Sequence, residues 1–158
     1  MPAVIFQQLT VEEKRLIRDS FARVADDEQT GMRVVFNLLN DYPEYKGLWP
    51  QFRPIHDSVL LGAHELTDFG RRFTGGIQKI IQNFDRQDEI EKSLEPIALA
   101  HLKYKINASH IKHMAEAWMA MMSRELAAEF DPPTRQAWQK MFDFIGVALD
   151  KKKSIIQH

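Results

Sequence analysis

From Leu9 to Leu149 the apolar residues of this chain recur at steps of three and four, and no stretch alternates strictly between apolar and polar. A period near 3.6 buries one face of a helix, whereas a half-buried strand needs a period of two, so helices alone are available to build a core. The first helical stretch, LTVEEKRLIRDSFARV, has Thr10 three residues before Glu13, the spacing of a capping box, and carries Leu16, Ile17, Phe21 and Val24 as its stripe. A second runs roughly from Gln29 to Asp41 with Met32, Val35, Phe36 and Leu39 on one face. It stops before Pro43, because the residue preceding a proline avoids the helical region. YPEYKGLWPQFRP, with three prolines and a glycine, reads as a short helical turn and a corner.

A long helical pattern follows from about Asp57 to Phe84, with Leu66, Phe69, Phe73, Ile77, Ile80, Ile81 and Phe84 on one face. Gly70, Gly75 and Gly76 interrupt it, and close helix packing is a reason to keep such costly residues there. DRQDEIEKSLEPIALAHLKY reads as a shorter helix in two pieces that meet at Pro96. NASHIKHMAEAWMAMMSRELAAEF is long and rich in methionine, and a last helix begins near DPPTRQAW and continues through KMFDFIGVAL. The predicted architecture is all-α, about seven helices in a single domain over residues 1–158.

Several function classes drop out. A formal net charge of −1 leaves no excess of cations to drive general binding to nucleic acid or acidic membranes. The one basic run, Lys151-Lys152-Lys153, reads as a solvated helix end whose cations suit the helix dipole. With no cysteine there can be no disulfide, thiolate metal site or cysteine nucleophile, and a reducing, cytoplasmic setting is expected. No apolar run is long enough to span a membrane. MPAVIFQQLT lacks the positive start and long apolar centre of a secretory signal, and it carries no myristoylation motif. GRRFTGG is not a phosphate-binding loop, and neither G-x-S-x-G nor H-E-x-x-H occurs.

The histidines are His56, His64, His101, His110, His113 and His158. His110 and His113 lie three apart on a helix without further ligands at matching spacing, and they read as exposed helix histidines. Met119, Met121 and Met122 read as core filler. His101 is different. Ile90, Leu94, Ile97 and His101 fall at steps of four, three and four, so an inward-facing apolar stripe ends in an imidazole. Two readings stay open on periodicity alone. The ring is a buried neutral imidazole satisfied by a backbone carbonyl, or it binds the metal of a cofactor large enough to fill a pocket.

IALAHLKYKI resembles the proximal-histidine segment of globins, in which a histidine is followed five residues later by an aliphatic residue lining the haem; here these are His101 and Ile106. YPEYKGLWPQF resembles the family's C-helix proline and the corner after it, with aromatics six and nine residues on: Pro43, Trp49 and Phe52. DFGRRFTGGIQKIIQNFD resembles the distal helix, and PPTRQAWQKMF the opening of the last helix. The resemblance runs from about Leu9 to Leu149, four motifs in the family's order.

Membership in that family implies a haem b cofactor with iron held by His101. Phe69, Phe73, Val35, Ile97, Ile106 and Met114 would then wall a dry pocket, with Trp49 and Phe52 at its corner. Trp49 departs from the family's phenylalanine and sets a larger ring against the porphyrin. The register adopted puts Phe69 at the distal position. The rival register puts His64 there, turns Asp68 toward the haem and takes Phe69, Phe73 and Ile77 out of phase, and burying an unpaired carboxylate is costly. Val35 falls at the distal B-helix position. Ala100 stands where a hydroxyl often orients the proximal imidazole, which leaves the Ile97 carbonyl as acceptor. Lys105, Arg53 and Tyr104 are the residues for the haem propionates, and Arg72 stands near the pocket mouth, where it could turn inward, pair with a propionate or stay in solvent.

The leading functional expectation is reversible binding of oxygen or another diatomic gas, for storage, transport or sensing. A second is redox chemistry at the same iron: nitrite reduction, nitric oxide turnover or peroxidase-like activity. A third is a haem-free helical interaction module, from which a Soret band separates the other two. A homodimer and an external electron donor stay open as partners.

Overall fold

The computed structural model describes residues 5–157. The leader reading at Met1–Val4 and the sixth histidine, His158, lie outside them. The described residues form six α-helices: α1 (Val11–Ala25), α2 (Thr30–Asp41), α3 (His64–Gln82), α4 (Gln87–Lys103), α5 (Ala108–Leu126) and α6 (Pro132–Gln157). Short 3₁₀ segments occupy Ile5–Gln8, Pro43–Leu48, Asp57–Gly62 and Ala127–Glu129. Six α-helices and four brief 3₁₀ turns among the described residues make up the expected all-α fold of about seven helices.

The capping box at the start of α1 is made. Thr10 Oγ1 accepts from the Glu13 N–H at 3.0 Å, and the Thr10 N–H donates to Glu13 Oε1 at 2.8 Å. Two helix boundaries differ from the sequence expectation. The pattern from Asp57 to Phe84 is broken at Ala63, whose extended ψ of 135° separates the 3₁₀ turn from α3. In contrast, α4 runs without interruption through Pro96 instead of splitting there. Pro96 is exposed, and so is Lys92, so water can solvate the carbonyl that loses its helical partner.

α2 lies on α3 and on α5, α4 lies on α6, and α1 lies on α6. At the α2–α3 crossing, backbones touch: a Cβ on Gly31 would fall 2.0 Å from the Gly70 carbonyl oxygen, and one on Gly70 would fall 2.3 Å from the Met32 nitrogen. Close packing therefore explains Gly70, as expected, but not Gly75 or Gly76, which face open space. Gly31, unremarked in the sequence, is the other half of the contact.

Buried side chains fall into two clusters. A back cluster gathers Ile17, Phe21, Trp118, Trp138 and Met141 with the inner faces of α3 and α4. A front cluster gathers Met32, Val35, Leu38, Tyr45, Phe52 and Leu66. Met114 and Ala117 of α5 pack against both.

Candidate functional site

The stripe on α4 passes from closed core to open edge. Ile90 and Leu94 are buried, whereas Ile97 and His101 are only partly so. His101 stands in the last turn of α4, and its Nδ1 is buried with no hydrogen-bond partner. It does not reach the Ile97 carbonyl expected as its acceptor. Burial, followed by the charge of Lys153 and by His110, pushes the His101 pKa down to about 4. The ring is therefore neutral near pH 7, the form that has a lone pair for a metal. Beyond it the chain turns sharply. The Ile106 N–H reaches the His101 carbonyl at 2.8 Å, and Lys105 adopts a positive φ of 58°.

In the front cluster, three aromatic rings meet. Trp49 lies 5.5 Å from Phe52 and 5.3 Å from Phe69, the latter edge to face, and Phe52 meets Phe69 at 6.1 Å. Phe52 and Val35 are fully buried, while Trp49 and Phe69 remain partly open. Phe73 belongs to the other side: it packs edge to face on Trp118 at 5.9 Å and joins the back cluster, as does Ile97. Phe69, Trp49, Phe52 and Val35 thus come from the front cluster and Phe73 and Ile97 from the back, with Met114 between them. Ile106 is partly buried in the turn after α4.

The polar residues divide. The Arg72 guanidinium carbon sits 5.9 Å from the Phe69 ring centroid, on the exposed side of α3. Arg53 donates from Nε to the Gly47 carbonyl at 2.7 Å. Lys105 is exposed, and Tyr104 is partly buried beneath the Lys103 ammonium. His64 is the first residue of α3, with its side chain 82% exposed and paired to Glu65. Asp68 is likewise exposed, beside Arg71.

Two sequence readings need correction. His110 and His113 are partly buried, not free surface groups. His110 Nδ1 accepts from the Asn107 N–H at 3.0 Å, and His113 Nδ1 is 2.6 Å from the Tyr45 hydroxyl. Lys153 is not solvated with its neighbours; only 14% of its side chain is exposed, because α6 lies along α4. Trp118 was missed outright. It lies four residues beyond Met114, on the same face of α5.

Among the described residues no group of three or more His, Cys, Asp or Glu side chains could hold a bare metal ion. A lone neutral imidazole beside partly buried apolar walls instead fits a metal that arrives with its own ring of donors. A family model described as Globin matches residues 33–149. Cytoglobin-1 of Oryzias latipes is 25% identical over 131 residues, covering 76% of this chain and 74% of that protein. Hemoglobin subunit alpha-D of Turdus merula is 19% identical and that of Chrysemys picta bellii 21% identical, each over 145 residues that cover 91% of this chain and 98% of the relative.

Proposed function

The chain belongs to the globin family, and from that premise we propose that residues 1–158, as one domain, hold haem b through His101 and reversibly bind oxygen or another diatomic gas as a store, carrier or sensor. One observation supports this above the others: a partly buried, neutral imidazole whose Nδ1 is buried without a partner, at the end of an apolar stripe. When bound, haem would supply an iron able to bind a diatomic gas. His101 would hold that iron. Phe69, Val35, Phe73, Ile97, Ile106 and Met114 exclude water around it, and Trp49 and Phe52 close the corner. Lys105 and Tyr104, in the turn after His101, are the groups for the carboxylates; Arg53 is already committed to the Gly47 carbonyl.

Replacing His101 with Gly tests the bond. The Soret band and bound iron should disappear and return with added imidazole. If both persist without it, His101 is not the ligand.

On the distal side neither Phe69 nor Val35 can donate a hydrogen bond, and Arg72 lies on the Phe69 face. Oxygen should therefore leave quickly, and Arg72→Leu should change its dissociation rate little. A slow rate that speeds up in Arg72→Leu would mean the guanidinium turns inward. The same lack of a donor favours a second reading, redox turnover at the iron with electrons from an external donor, which rapid irreversible oxidation in air would support.

A further inference from the structure

The core-facing stripe of α6 is broken by a cation. Ile145, Leu149, Lys153 and Ile156 fall at steps of four, four and three, on one face of the helix. Ile145 and Leu149 are buried, and Ile156 packs against the same cluster as Ile97 of α4. Lys153 points the way its neighbours on that face point, toward α4, and only 14% of its side chain is exposed. A lysine placed only to suit the helix end would reach into water, as the exposed Lys151 does. The carboxylate paired with Lys153 is Asp150, 3.5 Å away and 65% exposed, so water screens the anion more than the cation. After burial, the charge of Lys153 is the largest cause that lowers the His101 pKa, which fits an ammonium held on the His101 side of α6.

We propose that Lys153 is a proximal cation, a fixed positive charge on the His101 side of the haem that holds the iron in its ferrous, gas-binding state. This rests on the haem reading above. Ferric haem carries one positive charge more than ferrous haem, so a nearby ammonium opposes the ferric form by Coulomb repulsion. The apolar side chains of the α4–α6 contact screen that repulsion far less than water does. The same charge draws electron density from the imidazole and makes it a poorer donor to ferric iron. The need for such a device lies on the other face of the pocket. Phe69 and Val35 offer no hydrogen bond that would protect a ferrous, oxygen-binding iron, so protection from oxidation falls to the proximal side.

The test is the ferric–ferrous midpoint potential of the purified haem protein, read from its absorption spectrum during a mediated redox titration. Lys153→Met keeps the apolar stem and removes the charge. It should shift the equilibrium about tenfold toward ferric iron, which lowers the midpoint by about 59 mV for one electron. Lys153→Arg keeps the charge and should leave the midpoint close to that of the unsubstituted protein. Asp150→Asn, at an exposed position, removes the counter-charge and should raise the midpoint by a smaller step, about twofold in the equilibrium. A lysine that merely packs α6 against α4 would lower the melting temperature on substitution and leave the potentials of the Met and Arg variants alike. With a Soret band present, a midpoint indifferent to Lys153→Met, or moved in the same direction by Lys153→Met and Asp150→Asn, overturns the proposal and leaves the haem reading standing. If the protein shows no Soret band even after haem is added, the haem reading has failed and the proximal cation falls with it.

Discussion

The middle of the back cluster is sealed, whereas the front ends in an aromatic edge that stays partly open. In the back cluster Trp118 and Trp138 are fully buried 5.7 Å apart, and Phe21 lies beside both. The Trp138 indole donates to Ser20 Oγ at 2.8 Å. At the front, Val35 and Phe52 are sealed, but the aromatic edge made by Trp49 and Phe69 stays partly open. Phe73, Ile97 and Met114 stay partly open along the seam. A fully buried large apolar side chain contributes about 1.5–3 kcal/mol, so the back can hold itself together by chain contacts alone. The front leaves apolar surface for a flat, apolar guest to cover. One cluster therefore carries stability, and on the proposed reading the other carries binding.

The harshest test of that division parts α2 from α3, both of which carry residues of the front cluster. Gly31→Leu puts a side chain where even a Cβ would meet the Gly70 carbonyl. Its cost should exceed the about 4–5 kcal/mol that marks exceptional single substitutions, and no cooperative unfolding transition should remain in urea. A normal transition would show that α2 and α3 can separate at little cost.

Truncations on each side sharpen the contrast. Trp138→Ala should cost about 3–5 kcal/mol with or without haem, because it opens a cavity in closed core. Phe69→Ala should cost the haem-free protein about 1 kcal/mol or less, yet speed haem loss, since that ring is only partly covered by protein. Urea melts of both haem-free variants and haem transfer to an acceptor protein measure this. Equal costs in the haem-free state would mean that the front is closed core as well.

These contrasts bear on what could be read from the chain. The α1 cap, the face of α2 and the Ile90–Leu94–Ile97–His101 stripe are local patterns, and each lies where its periodicity puts it. Gly31, Gly70, Gly75 and Gly76 look alike in sequence, but only a crossing helix separates the pair in backbone contact from the pair in open space. Lys153 reads as solvent-facing until α6 is known to lie along α4. His113 reads as exposed until the turn at Pro43 brings Tyr45 onto it. Cofactor position is less legible still. Trp49, Phe69 and His101 sit on three separate segments, and no local period relates them.

The smallest effects separate front from back by pH. Each side has a capping box: Thr10 with Glu13 on α1, packed into the back, and Asn107 with His110 on α5, beside Tyr45. Near neutral pH, Thr10→Ala and Asn107→Ala should each cost about 1 kcal/mol. Acid should divide them. Burial, then the neighbouring His113, holds the His110 pKa below the ordinary 6.5, so the unfolded chain takes up that proton first. Stability from this neutral imidazole is complete above pH 6.5 and drains away as pH falls through the lowered value, because a protonated Nδ1 cannot accept the Asn107 N–H. Burial pulls the Glu13 pKa upward, but the bonds from the Thr10 N–H and the Lys140 ammonium outweigh it and leave the carboxyl below 4.5. Its contribution persists until pH drops under 4.5 and is lost through the lower folded value. Melting temperatures from about pH 7 to about pH 5 should therefore fall less in His110→Gln, whose amide oxygen accepts without titrating, than in the unsubstituted protein. Glu13→Gln should run parallel to the unsubstituted protein over that range and diverge only in stronger acid. If His110→Gln also runs parallel, the front cap does not titrate ahead of the back one, and mild acid does not loosen the binding side first.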